Sequence, residues 1–169
     1  MKRRRGYTLI ELVLVLMLLV LVSGVVFILA ASGSQTYLRL AEKQNQSTDL
    51  RTGLSYLDVQ IRKHDTQGAL SIRSGPFDSQ PSLVISQEIS GQLYLTYIYL
   101  HDGYLCELFV ADDTVITDGM GSRIAAINSM QFDTLADGSI QITLSRQSGD
   151  QALISGSRTI FLRAGGIVS

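Results

Sequence analysis

The chain has 169 residues with 14 Lys and Arg against 15 Asp and Glu, and a single cysteine. Four of the basic residues, Lys2, Arg3, Arg4 and Arg5, fall in the first five positions, so the remainder carries ten basic against fifteen acidic side chains, a formal charge of about −5. That balance argues against direct binding to nucleic acid, which needs a basic face, and the lone Cys106 excludes an intrachain disulfide.

After the basic cluster comes an apolar run. No charged residue occurs between Leu12 and Leu38; as a helix this stretch is about 40 Å long, more than the roughly 30 Å of a bilayer's hydrocarbon core. The flanking arginines stay on the cytoplasmic side and send the rest of the chain outward. One reading is a signal anchor that tethers an extracytoplasmic binding domain which does not polymerise. A second is a cleaved secretory signal, with small residues at Ala30-Ala31-Ser32-Gly33, although the apolar run is longer than the 7–15 residues usual for such signals. Neither accounts for Glu11, because an acid at the centre of a membrane helix costs on the order of 2.5–3.5 kcal/mol and calls for a partner.

Gly6-Tyr7-Thr8-Leu9-Ile10-Glu11-Leu12, behind a basic leader and ahead of the apolar run, resembles the processing motif of type IV pilins and pseudopilins. The resemblance implies an α+β, pilin-like fold and no enzymatic activity or cofactor. It implies cutting by the prepilin peptidase after Gly6, N-methylation of Tyr7, and retention of the helix as the assembly element. Glu11 then answers the positive amine of a neighbouring subunit. Physically, an amine and a carboxylate left unpaired in a bundle of apolar helices are each costly, so pairing offsets both and sets the axial register. Tyr7 stands where the family most often has Phe, and Ile28 where many major pilins have Pro. No proline kink is therefore expected, and Ser23-Gly24 is the place for a bend or local melting. The implied location is the inner membrane, single-pass, then a pilus, pseudopilus or cell surface; the partners are the peptidase and other pilin subunits.

Downstream, Leu50, Leu54, Leu57 and Ile61 recur at helical spacing opposite Asp49, Arg51, Asp58, Gln60 and Arg62, which predicts an amphipathic helix packed on a core. No proline occurs between Tyr7 and Lys63. The expected organisation is a leader at 1–6, a membrane or filament-core half-helix at 7–32, an amphipathic half at 33–65, and an antiparallel sheet over 66–169. Residues 65–68 end the helix, and 74–81 are a loop by their Gly, Pro, Ser and Asp content. A strand begins at Leu83-Val84-Ile85. Residues 92–100 and 104–110 flank the turn His101-Asp102-Gly103 as a hairpin. Alternation along 93–99 suggests one sheet face on the helix and the other only partly exposed. Residues 112–123 read as an irregular connection; 129–135 and 139–145 form a second hairpin around Ala136-Asp137-Gly138; and 152–163 supply a last strand of one antiparallel meander. This order, ending in a Gly-rich tail, looks more like a minor pilin or J-type minor pseudopilin than a major subunit. Such a subunit would help initiate or cap a filament. Because the tip-most pseudopilin of some systems lacks the acid, Glu11 implies a subunit above this one.

Reactive chemistry is sparse. There is no nucleophile motif, phosphate loop or CxxC. Cys106, in YLCELFV, reads as a packing thiol; a reactive His101–Cys106 pair across the hairpin is the alternative, and His64 lies apart at a helix end. No metal site is expected, the weak candidates being Asp112, Asp113 and Asp118 beside Gly119 and Gly121, a carboxylate cluster of the kind calcium prefers but with no known loop spacing.

Overall fold

The computed structural model describes residues 9–149 and 152–163, side chains at 31–36 and 39 excepted. The chain divides into two units, Met1–Glu42 and Lys43–Ser169. Helix α1 (Leu9–Lys63) contributes to both.

In the first unit α1 carries the apolar span Leu9–Ala30, 22 residues of which none is buried. The helix assignment runs through Ser23 and Gly24 without interruption, so no melted segment occurs there. A side chain added at Gly24 would meet nothing within 4 Å.

In the second unit the remainder of α1 lies on two antiparallel sheets. Strands β1 (Leu70–Ser74), β2 (Pro81–Ile89), β3 (Gln92–His101), β4 (Tyr104–Ala111) and β5 (Ser122–Ala126) form one sheet in that order. Strands β6 (Ser129–Thr134), β7 (Ile140–Arg146) and β8 (Ile154–Ile160) form the other. The α+β class holds, but the single meander becomes two sheets. Consecutive residues show why: Ile127 N–H donates to Gly103 O at the end of the first sheet, while Asn128 N–H donates to Ser145 O in the second. The chain thus changes sheets across one peptide. Residues Ser122 and Arg123, read as connection, belong to the edge strand β5, and the last strand is shorter than 152–163.

The stripe on α1 behaves as its spacing requires. Leu50, Leu57 and Ile61 are buried, and Leu54 packs partly buried beside them. Gly53 lets the helix approach closely, since a Cβ there would lie 2.8 Å from Leu144 Cδ1 of β7 and 3.5 Å from Leu105 Cδ2 of β4. Leu83, Ile85, Ile98, Leu105, Ile127, Ile140, Ile142, Leu144 and Ile160 complete this core. Polar contacts tie the helix to the three-stranded sheet, Asp49 to Arg146 at 3.3 Å and Asp58 to Arg158 at 3.3 Å, while Asp58 also pairs with Arg62 of the helix itself at 2.8 Å.

Two hairpins turn on residues with positive φ. Ser90 (55°) and Gly91 (83°) join β2 to β3, and Asp102 (49°) and Gly103 (76°) join β3 to β4. Positive φ at both central positions is the geometry that matches the strands' own twist. The β6–β7 turn is fixed differently: the Asp137 carboxylate accepts from Ser139 N–H at 2.9 Å and Ser139 Oγ at 2.6 Å. These two donors, the hydroxyl first, hold the Asp137 carboxyl below its ordinary value. Its contribution to stability is therefore present above about pH 3.9 and is lost as pH falls through the lowered value. In an NMR titration Asp137 should titrate below an aspartate's ordinary value, and Ser139→Ala should move its midpoint upward; an unchanged midpoint would contradict this arrangement.

Candidate functional site

Glu11 lies in the first turn of α1 and is exposed, as are its neighbours Leu9, Ile10, Leu12, Val13, Leu14 and Val15. It is the single charged side chain in the Leu9–Ala30 span. Among the described residues of the first unit nothing covers this surface, so the helix presents an apolar cylinder with one carboxylate, Glu11. Gly6 and Tyr7, where processing is expected, lie outside the described residues.

The outer face of the five-stranded sheet forms a second site. Tyr99, Cys106, Leu108 and Val110 are buried there under Phe77, Ile116 and Met120, supplied by the 75–80 and 112–121 loops. The alternation along β3 suggested one face on the helix and the other only partly exposed; the loop residues that partly cover the outer face are single apolar side chains in polar sequence. Tyr99 Oη donates to Met120 O at 3.0 Å, and His101 Nε2 lies 3.0 Å from Asp118 Oδ1 and 3.7 Å from Asp102 Oδ2. Phe77 packs tilted against His101, with ring centroids 4.9 Å apart. A cavity of about 340 Å³ opens among Tyr99, His101, Cys106, Asp118, Met120 and Arg123.

His101 and Cys106 thus line one cavity, yet the thiol is not poised for attack. Burial pushes the Cys106 thiol up, against a smaller lowering by Arg123, and the thiolate is the nucleophilic form. A thiol reagent at pH 8 should label Cys106 in the folded chain at least about 100-fold more slowly than in the unfolded chain, because labelling requires local opening. Equal rates would overturn this assignment. Of the calcium candidates, Asp118 turns to His101, whereas Asp112 and Asp113 lie in the turn after β4, where Asp112 N–H donates to Leu93 O. Among the described residues, no three His, Cys, Asp or Glu side chains gather closely enough to hold a metal ion. The proposed cluster is therefore not formed: the loop places its acids around different neighbours. His64 caps the helix end through its ring Nδ1, 2.9 Å from Gln60 O.

One polar network escaped the sequence reading. Gln60 Nε2 donates to Tyr56 Oη at 2.9 Å and to Glu107 Oε1 at 3.3 Å, joining α1 to β4. Burial, then the hydrogen bond to Glu107, holds the Tyr56 phenol well above its ordinary value. The neutral phenol's contribution persists below about pH 10 and is lost only as pH rises through the raised value. Sequence spacing placed Tyr56 and Gln60 on one helix flank, but gave no signal that a strand carboxylate 47 residues away completes the set.

An exposed membrane-length helix bearing one early acid, followed by an α+β domain of helix on antiparallel sheets, is consistent with a pilin-like fold, and the motif at the start of the chain supports the type IV pilin and pseudopilin family. Residues 1–27 match the Prokaryotic N-terminal methylation motif. Over residues 48–147, more than half of its length, the chain matches Domain of unknown function (DUF4860), and it belongs to that family. No curated protein and no solved structure matches it.

Proposed function

We propose that this chain is a structural, non-enzymatic subunit, and a minor one, of a type IV pilus or of a secretion or DNA-uptake pseudopilus. The prepilin peptidase removes residues 1–6, Tyr7 becomes the N-methylated first residue, and residues 7–32 pass from the inner membrane into the filament core. Residues 33–65 then form the amphipathic half of the helix beneath the domain completed by 66–169. Glu11 pairs with the amine of a neighbouring subunit, and the subunit helps to initiate or cap the filament from the cell surface. The observation that carries this reading is the uncovered Leu9–Ala30 helix with Glu11 in its first turn, directly behind a methylation motif. Lipid satisfies the apolar surface but offers the carboxylate no cationic partner, whereas a bundle of processed copies supplies both.

Mass spectrometry of the mature amino terminus from cells tests it. N-methyl-Tyr7 is the expected result. An intact Met1 would instead indicate a signal-anchored domain, and a start near Ser34 a secreted one.

A further inference from the structure

Among the described residues, nothing occupies one flank of α1 in the second unit. Arg51, Thr52, Ser55, Tyr56 and Val59 line a shallow groove of about 490 Å³. Val59 is 58% exposed, whereas Leu50, Leu54, Leu57 and Ile61 of the same part of the helix pack on the core. Arg51 is exposed and makes no ion pair among the described residues, although Arg62, Arg146 and Arg158 all do. The groove therefore offers an apolar floor with one uncommitted cation at its end.

The loop after β4 has the opposite character. Val115 projects with 82% of its surface exposed, more than any other valine in the described chain. Asp112 and Asp113 precede it, exposed, and neither carboxylate makes an ion pair among the described residues. An aliphatic knob flanked by two free anions matches an apolar groove flanked by a free cation, in both polarity and charge.

We propose that the Val115 loop of one copy of this chain docks into the Arg51–Val59 groove of a second copy, Asp112 and Asp113 facing Arg51. The two surfaces are different patches of the same molecule, so the contact is head-to-tail. Contacts of that kind do not close on a two-fold axis and propagate as rings or helical filaments. The inference rests on the filament reading, and gives that reading a lateral contact between outer domains besides the helical core. It requires adjacent copies within the filament or its initiating complex.

The test is disulfide cross-linking of the full-length chain in its native cells with Val115→Cys and Ser55→Cys combined. Cys106 is buried and remains in place. Oxidation should give a ladder that begins with a dimer and extends as far as copies lie adjacent in the double variant, and no ladder in either single variant. Arg51→Glu should reduce the ladder about fivefold or more, and Asp112→Arg with Asp113→Arg should restore it, the order of effect for an exposed charge pair converted to repulsion. A double variant recovered in sheared filaments without a ladder overturns the docking contact and leaves the filament reading standing. Absence from filaments together with no ladder, in cells where the unsubstituted chain is also absent, overturns both. Cross-links solely to a different protein overturn the choice of a second copy.

Discussion

Glu11→Val should leave the chain cut after Gly6 and inserted in the membrane while removing it from filaments. Cleavage would still create a cationic amine, but a neighbouring helix would no longer present a carboxylate to it. Leaving one buried ion unpaired costs several kcal/mol, and each 1.4 kcal/mol is tenfold in an assembly equilibrium. The subunit should therefore fall by at least about 100-fold in sheared filaments while its amount in the membrane is unchanged or rises, because valine removes the on-the-order-of 2.5–3.5 kcal/mol cost of an acid at full membrane depth. Glu11→Asp should recover part of the loss, since it keeps the charge on a shorter arm. The checks are the mass of the mature amino terminus and the quantity of subunit in each fraction. A Glu11→Val chain that enters filaments normally would remove Glu11 from the assembly mechanism.

Leu57→Ala should destabilise the outer domain more than most single changes. The side chain is fully buried at the centre of the α1 stripe, within the core that both sheets share. Truncating a buried leucine to alanine costs about 2–5 kcal/mol, depending on how far the surroundings collapse into the space. For a domain of this size that lowers the melting temperature on the order of 10 °C. Val59→Ala is the matched control. It lies two residues along the same helix but is mostly exposed, so its effect should stay within about 0.5 kcal/mol. Thermal unfolding of the full-length chain in detergent, followed by near-ultraviolet circular dichroism, separates the two. Equal melting temperatures for Leu57→Ala and the unsubstituted chain would mean that the helix does not share the domain's core.

The parts of this molecule that were legible in advance are those encoded by linear spacing. A methylation motif is a contiguous segment, so the match over residues 1–27 had to be visible in the chain itself. The Leu50–Ile61 stripe was equally plain, because a helix against a core repeats at 3.6 residues whatever it packs on. Asp102-Gly103 marked a hairpin because its two positive φ values favour that pair. What failed depended on pairing across long separations. Strands β1 and β5 have five residues each and carry too few alternations to announce themselves, and their identity as strands comes from the neighbour each one bonds. The change of sheet at Ile127 and Asn128 follows from which carbonyl each amide meets, and no local pattern marks it. In the same way, the acidic loop could be seen as acidic but not as divided, with Asp118 drawn to His101 and Asp112 and Asp113 left facing outward.

The change of sheet has a mechanical corollary. Because the backbone joins the two sheets through a single short crossing, their common attachment is the amphipathic part of α1. That helix grips the three-stranded sheet through Asp49–Arg146 and Asp58–Arg158, and the five-stranded sheet through Gln60–Glu107. A pull along the helix axis is thus shared between contacts to both sheets. The helix serves the domain as a tie rod, and a fragment beginning after Ile61 would lose the member through which its two sheets bear load together.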